Sequence, residues 1–170
     1  GVAGEPQLRM DEARYRTLVE LLPAITFMAV FDAGLSEFYV SPQIESILGY
    51  SQQEWVENPV LWYERLHPED REPWEKEFAQ TLAAGKPFRA AYRFLARDGR
   101  VVWLHGEVRI ASSDVGQPIF LHGVGFDITQ MKEAEHRAQE SEKLAKLARE
   151  LARSNADLDQ FAYIASHDLR

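Results

Sequence analysis

The chain has 170 residues, 45% of them apolar, which suffices for one ordinary domain with a buried core. Its 27 acidic against 19 basic side chains give a formal net charge of −8, and this charge disfavours nucleic acid as a partner because phosphate recognition needs a basic surface. Cysteine is absent, which excludes disulfides and thiolate metal sites, and no window approaches the roughly 18 apolar residues of a membrane span.

The N-terminal segment predicts a lead-in, a helix and two strands. Residues 1–11 have the composition of a tag or a disordered lead-in and lack the basic-then-apolar pattern of a secretion signal, so we expect a cytoplasmic location. A helix is predicted from Asp11 to Leu22, where Pro23 ends it. The segments AITFMAVFD and LSEFYV, separated by Ala33-Gly34, then predict strands, the first with alternate apolar residues on one face.

Helix signals occupy the middle of the chain. Ser41 is predicted to cap a short helix that has Pro42 at its first position, and SQQE, residues 51–54, predicts a capping box for a second short helix. A longer helix follows HPED and is closed by Gly85. His67 in HPED is interpreted as a residue at the helix start rather than a ligand.

Three further strands complete the predicted domain. FRAAYRFLAR and RVVWLHGEVRI alternate in hydrophobicity around Asp98-Gly99, the preferred two-residue hairpin turn, and PIFLHGVGF alternates in the same way, with Ile119 on the inner side. Two strands, a run of helices and three strands predict an α+β fold: a five-stranded antiparallel sheet with short helices on one face.

The predicted outer face of this sheet is too apolar to stay exposed to water, since it carries Trp103, Phe120, Val124 and Phe126. We expect the N-terminal helix around Tyr15 and Leu18, a second subunit, or both, to cover it. His105 and His122 project from the same face on neighbouring strands, but a metal site there needs a third ligand, so no metal is assigned.

The last 45 residues contain neither glycine nor proline and predict one long helix from Gln130 to Arg170. Apolar residues recur at a and d positions of a heptad frame, which predicts a parallel two-stranded coiled coil between two copies of the chain. A competing alanine-rich stripe lies one residue out of register, and a globular helical bundle is the alternative to self-association. The predicted dimer seam consists of Leu144, Leu147, Leu151, Leu158, Phe161 and Ala165.

An ordered set of motifs resembles a PAS sensor domain over residues 12–135: LGYS at 48–51, HPED at 67–70, the DG turn followed by VVWL, and GVGFDIT at 123–129. The resemblance implies a cavity between the inner sheet face and the short helices, which a small molecule could occupy. Haem is disfavoured because the helix from Glu69 to Ala84 has no histidine, and a cysteinyl flavin is excluded by the lack of cysteine. The candidate lining residues are Phe27, Tyr92, Phe94, Leu104, Gly106, Val108, Leu121 and Gly123.

The DIT motif, Asp127 to Thr129, joins the last predicted strand to the long helix. Asp127 is predicted to cap that helix with Gln130 at the N3 position, which would couple the sheet directly to the predicted coiled coil. Asp127, Thr129 and Gln130 are therefore the candidate signal-coupling residues.

SNADLDQFAYIASHDLR, residues 154–170, resembles the H-box of a two-component sensor histidine kinase. The resemblance implies that His167 accepts the γ-phosphoryl group of ATP, that Asp168 orients the imidazole or accepts its proton, and that Arg170 has a lesser electrostatic role. It also implies a response regulator receiver domain as a partner. No ATP-binding motif follows, so we expect kinase activity and ATP binding in a longer parent protein and not in this chain alone.

The predicted organisation has four parts: a lead-in (1–11), a PAS domain with its flanking helix (12–129), a coiled-coil linker (130–153) and the start of the phosphoacceptor helix (154–170). The predicted function is sensory input to a histidine kinase. The alternative is a PAS module that only holds proteins together and binds no ligand.

Overall fold

The computed structural model describes residues 4–31, 34–116 and 118–169. The predicted turn at Ala33, the role of Arg170 and the first three residues of the predicted lead-in lie outside these ranges. The chain divides into two compact units, Gly1–Thr129 and Gln130–Arg170.

The N-terminal helix α1 runs from Gly4 to Leu21, so the prediction of a disordered lead-in is wrong for residues 4–10. Pro6 is compatible with this start because the first-turn N–H groups of a helix have no intrahelical partner to lose. Side-chain pairs one turn apart support the helix, with Gln7 donating to Asp11 and Arg16 to Glu12.

The sheet has five antiparallel strands in the order β2-β1-β5-β4-β3, which confirms the predicted α+β fold. Four helices lie between β2 and β3 in the chain, and the five-residue α4 was not predicted. The strands are β1 (Ala24–Phe31), β2 (Leu35–Val40), β3 (Phe88–Leu95), β4 (Val101–Ser112) and β5 (Pro118–Asp127). The helices are α2 (Gln43–Leu48), α3 (Gln52–Glu57), α4 (Leu61–Arg65) and α5 (Pro68–Ala83).

Two predicted helix caps have different outcomes. The capping box at Ser51 is confirmed, because its Oγ accepts from the Glu54 amide at 3.1 Å while the Glu54 carboxylate accepts from the Ser51 amide at 2.9 Å. The Ser41 cap is wrong. The hydroxyl of Ser41 is fully buried and accepts a hydrogen bond from the Thr26 amide at 2.9 Å, so it joins β1 to the end of β2 instead of capping α2.

Local signals place the ends of α5 and the β3-β4 hairpin correctly. The Nδ1 atom of His67 accepts from the Glu69 amide at 3.3 Å, which makes His67 the N-cap of α5, as its interpretation as a helix-start residue requires. Gly85 after α5 and Gly99 in the hairpin both have left-handed φ values, +62° and +85°, which glycine adopts without a steric penalty.

The core lies between the inner face of the sheet and helices α2 to α5, in two apolar clusters. Ile119 is not part of it and is 53% exposed, contrary to the predicted inner-face position, because the β4-β5 register shifts next to it between Ala111 and Ser112. The buried members of the first cluster are Ile25, Val40, Ile44, Ile47, Leu48, Tyr50, Trp55, Ala96, Val102 and Leu104; those of the second are Ala29, Leu66, Phe88, Tyr92, Val108 and Leu121.

The outer face of the sheet is less covered than the sequence predicts. Tyr15 and Leu18 of α1 are 71% and 64% exposed, so α1 does not bury the face. Phe126 is also exposed, whereas Trp103, Phe120 and Val124 are partly buried. A second copy of the chain remains the predicted cover.

The two outer-face histidines are not cross-strand neighbours. The register pairs His122 with Arg109 and His105 with Phe126, so the two imidazoles lie on neighbouring strands but not opposite each other. Among the residues that the structure describes, no three His, Cys, Asp or Glu side chains cluster in a way that could hold a metal ion.

The second unit is formed by the long helix α6, Thr129–Asp168, whose 40 residues extend about 60 Å at 1.5 Å per residue. The leucines of the predicted seam are exposed in the single chain, Leu151 by 63%. Within the described ranges, no helix has both the length and the apolar character that crossing a membrane requires.

Candidate functional site

A cavity of about 100 Å³ lies between the inner sheet face and the helices. The predicted lining residues Phe27, Tyr92, Phe94, Leu104, Gly106, Val108 and Leu121 all border it. Its wall also includes aromatic side chains that were not among the predicted lining residues. Trp74 and Phe78, one turn apart on α5, stack with their ring centroids 4.8 Å apart, and Trp62 of α4 lies 4.8 Å from Trp74.

Gly123 does not border the cavity, contrary to the prediction. A Cβ atom at this position would lie 2.5 Å from Cζ of Phe27 and 3.0 Å from the carbonyl oxygen of Glu107. The Phe27 ring therefore occupies the space that a side chain would need, and glycine is required because the ring lies directly against the backbone of β5.

Glu37 of β2 is the main polar group of the cavity wall and was not among the lining residues predicted from the sequence. The residue is only 9% exposed, and its Oε2 accepts a hydrogen bond of 2.6 Å from Nε1 of Trp55 in α3. Burial raises the pKa of the Glu37 carboxyl to about 7, although the bond from Trp55 acts to lower the pKa. The sequence does contain a signal for its burial: Glu37 lies two residues after Leu35, which places both side chains on the same face of a regular strand.

The indole of Trp62 contributes a second polar atom to this region. Its Nε1 is buried and has no hydrogen-bond partner in the part of the chain that the structure describes. A buried N–H without an acceptor is costly, so an unpaired donor beside a cavity needs an explanation. The hydroxyl of Tyr92, by comparison, already donates to Glu77.

A polar cluster fixes α5 to β3 beside the cavity. The Asp70 carboxylate accepts from the Arg93 amide at 2.8 Å and from its guanidinium, and Glu69 accepts from the same guanidinium at 3.0 Å. The His67 amide donates to the Arg93 carbonyl at 2.8 Å. This cluster gives the HPED motif a structural role in attaching the helix to the sheet.

The junction between β5 and α6 is closed by Asp127 and Thr129. Oδ1 of Asp127 accepts from the amide of Thr129 at 3.0 Å and from its hydroxyl at 2.6 Å. The Thr129 hydroxyl in turn accepts from the Trp103 amide of β4 at 3.0 Å. These bonds all involve Thr129. The sequence instead predicted Gln130 at the N3 position as the partner of the Asp127 cap, and the Gln130 side chain is exposed.

His167 lies on the last turn of α6 with its side chain 74% exposed. Its Nδ1 is 3.8 Å from Oδ1 of Asp168, which is ion-pair distance and too long for a hydrogen bond. The Tyr163 ring, one turn earlier, lies with its centroid 6.2 Å from the imidazole. The imidazole is therefore accessible to solvent in the single chain.

Comparison with known proteins identifies the first unit. Residues 37–125 match the family described as the PAS fold. The chain belongs to the PAS family. The sensor histidine kinase TmoS of Ectopseudomonas mendocina is 24% identical over 166 residues, which is 95% of this chain and 16% of that protein. This PAS chain spans 16% or less of the length of each curated relative that it matches.

Solved structures agree with the PAS assignment. A sensory box histidine kinase/response regulator from Burkholderia thailandensis has a TM-score of 0.65 at 22% identity, covering 78% of this chain and 98% of that one, and it shows the fold. The N-terminal domain of a diguanylate cyclase with a PAS/PAC sensor, from Marinobacter aquaeolei, is 34% identical with a TM-score of 0.57, covering 64% of this chain and 98% of that one.

The large cofactors of some PAS domains do not fit this cavity. A cavity of about 100 Å³ is smaller than the roughly 150 Å³ of an engineered protein cavity that holds benzene, so it has no room for a flavin or haem ring system. The α5 helix carries no histidine, and the chain carries no cysteine.

Proposed function

We propose that this chain is the sensory input segment of a cytoplasmic two-component histidine kinase, in which the PAS domain controls phosphorylation of His167. The observation that carries the proposal is the continuity of α6, which runs as one helix from Thr129 at the PAS domain to the H-box-like sequence around His167. A conformational change at β4 and β5 would reach α6 through the hydrogen bonds of Thr129 and Asp127.

The proposed active state is a parallel homodimer along α6. The predicted seam, which includes Leu144, Leu151 and Phe161, is exposed in the single chain, and a second helix would bury it at a favourable free energy of about 25 cal/mol per Å² of apolar surface. Residues 130–153 would then act as the coiled-coil linker and residues 154–170 as the phosphoacceptor segment.

The proposed chemistry is phosphoryl transfer to an imidazole. A neutral ring nitrogen of His167 attacks the γ-phosphorus of ATP, the bond to the β-phosphate oxygen breaks, and ADP leaves. Asp168 is the proposed group that orients the ring or takes its proton. The phosphoryl group would pass next to a receiver domain of a response regulator. ATP binding requires a catalytic domain beyond this segment, so this chemistry belongs to the parent protein.

Substitution of the acceptor tests the proposal. In the parent kinase, or in a fusion of this chain to a histidine kinase catalytic domain, His167→Gln should abolish acid-labile labelling from γ-³²P-ATP, because glutamine has no nucleophilic ring nitrogen. His136→Gln, on the same helix, is the matched control and should retain labelling. Labelling that survives in the His167 variant would remove the site assignment.

The dimer is tested by a charge placed in the seam. Leu151→Asp should weaken self-association at least tenfold, measured by sedimentation equilibrium, because a carboxylate would be buried between two helices. Gln160→Asp adds the same charge away from the predicted seam and should leave association nearly unchanged. A monomeric unaltered chain at micromolar concentration, or equal effects of the two variants, would contradict the seam.

The alternative function is an interaction module without a ligand, and the small cavity volume favours it. The two functions differ in how kinase activity depends on the cavity. If substitutions that fill the cavity change phosphorylation of the fused protein or its regulation, the sensory proposal holds. If substitutions that fill the cavity leave phosphorylation and its regulation unchanged, the interaction module is the better description.

A further inference from the structure

The cavity wall contains polar groups that are not needed for packing an apolar core. Its wall is mostly aliphatic and aromatic, yet it includes the buried Glu37 carboxyl, and its Trp62 side chain has a buried N–H without an acceptor. Tyr92 is the other titratable residue among the described lining side chains, and its hydroxyl already donates to Glu77. Nε1 of Trp62 is shielded from the cavity, whereas the Glu37 carboxyl, of which only Oε2 is hydrogen-bonded, can offer a hydrogen bond to a molecule inside it.

The protonation state of Glu37 decides what kind of ligand these groups can bind. An ionised carboxylate in this apolar surrounding would be stabilised by one donor, Trp55, and would lack a counter-ion, so the neutral acid is the favoured form. Trp55 uses Oε2, and a protonated Oε1 then becomes a donor. Glu37 thus presents a donor to the cavity, and an acceptor complements it.

The size of the cavity limits the ligand. A volume of about 100 Å³ is below the roughly 150 Å³ of an engineered cavity that binds benzene, so the ligand is at most a small ring. The aromatic and aliphatic wall favours a mostly apolar body for that molecule. A carboxylate ligand is disfavoured because it would place an anion in an apolar cavity without a basic side chain.

We propose that the cavity binds a small uncharged carbonyl compound, such as a ketone, aldehyde or ester, whose oxygen accepts a hydrogen bond from Glu37. This inference deepens the proposed sensory function and rests on it for its biological meaning. The binding step itself needs only the PAS domain. The cavity then discriminates by hydrogen-bond polarity as well as by shape, because hydrocarbons of the same size leave the Glu37 donor unpaired.

Three probes of matched size test the ligand class on the unaltered 170-residue chain: cyclopentanone, methylcyclopentane and cyclopentylammonium. Titration at pH 6, followed by the indole N–H resonances of the four tryptophans, should show saturable binding of cyclopentanone through a shift of at least one resonance, and binding at least about fivefold weaker for the other two probes. Equal or tighter binding of methylcyclopentane would overturn the polar role of the cavity. Tighter binding of cyclopentylammonium would show that ionised Glu37 selects a cation instead, and absence of saturable binding by all three probes would overturn the proposal.

Variants then locate the hydrogen bond. Glu37→Leu removes the donor and should bind cyclopentanone about fivefold or more weakly than the unaltered chain. Glu37→Gln keeps an N–H donor and should bind within about twofold of the unaltered chain. Unchanged affinity of Glu37→Leu would overturn the assignment. The probe series does not depend on any variant folding.

These measurements are independent of phosphorylation. If cyclopentanone binds as expected but His167→Gln retains labelling, the ligand inference holds and the kinase assignment fails. If labelling depends on His167 and no probe binds, the kinase assignment holds and the ligand inference fails.

Discussion

Replacing Glu37 with Gln should stabilise the PAS domain at pH 8 by up to about 3 kcal/mol and leave its stability near pH 4 almost unchanged. Burial raises the pKa of this carboxyl from 4.5 to about 7 in the folded chain. Between these two values the unfolded chain ionises before the folded chain does, so the free energy of unfolding falls as the pH rises. Below pH 4.5 Glu37 is protonated in both the folded and the unfolded chain, and its contribution to the free energy of unfolding is fully present.

Urea unfolding between pH 4 and pH 8, followed by tryptophan fluorescence, measures this effect as the difference between the variant and the unaltered chain. The variant retains an acceptor for the Trp55 N–H, so packing around α3 should persist. Glu57→Gln is the matched control, since Glu57 is an exposed carboxyl on α3, the helix that carries Trp55. Its free energy of unfolding should differ from that of the unaltered chain by no more than about 0.5 kcal/mol at every pH. A variant-minus-unaltered difference that does not grow with pH would show that Glu37 is not titrating in a buried environment.

Local sequence signals predict most of this fold because its elements obey local rules. The alternation in the strands, the Ser51 capping box and the glycine at the hairpin turn act over two to four residues, and the structure contains all of them. Ser41 shows the limit of such rules. Its hydroxyl had two partners available, the start of α2 and the Thr26 amide across the sheet, and only the tertiary structure decides between them.

The candidate site was predicted less completely than the fold. Alternation identified the apolar lining of the cavity, but a carboxylate in a strand is normally assigned to solvent because its burial is costly. Glu37 departs from this expectation, and its partner Trp55 lies eighteen residues away on α3, a contact that sequence spacing does not reveal. Gly123 is the opposite case: its position on the inner face was inferable, whereas the Phe27 ring that covers it was not.

Asp70→Ala should destabilise the PAS domain by about 2 to 3 kcal/mol, because it removes one partner of a largely buried charge pair. The Asp70 side chain is 13% exposed, and its carboxylate satisfies both the backbone amide and the guanidinium of Arg93. Burial alone would raise the pKa of Asp70, but the hydrogen bonds from Arg93 together outweigh it and lower the pKa. The stabilisation is therefore present above about pH 4 and is lost as the pH falls through the depressed folded pKa.

Glu69→Ala separates the buried part of this cluster from its exposed part. Glu69 accepts from the same guanidinium at 3.0 Å, but its side chain is 72% exposed, so its loss should cost less than about 1 kcal/mol. Urea midpoints of the two variants at pH 7 measure the difference. If both variants lose the same stability, the bond to the Arg93 backbone is not what holds α5 on β3. A large loss confined to Asp70→Ala would identify that carboxylate as the link between the helix and the sheet.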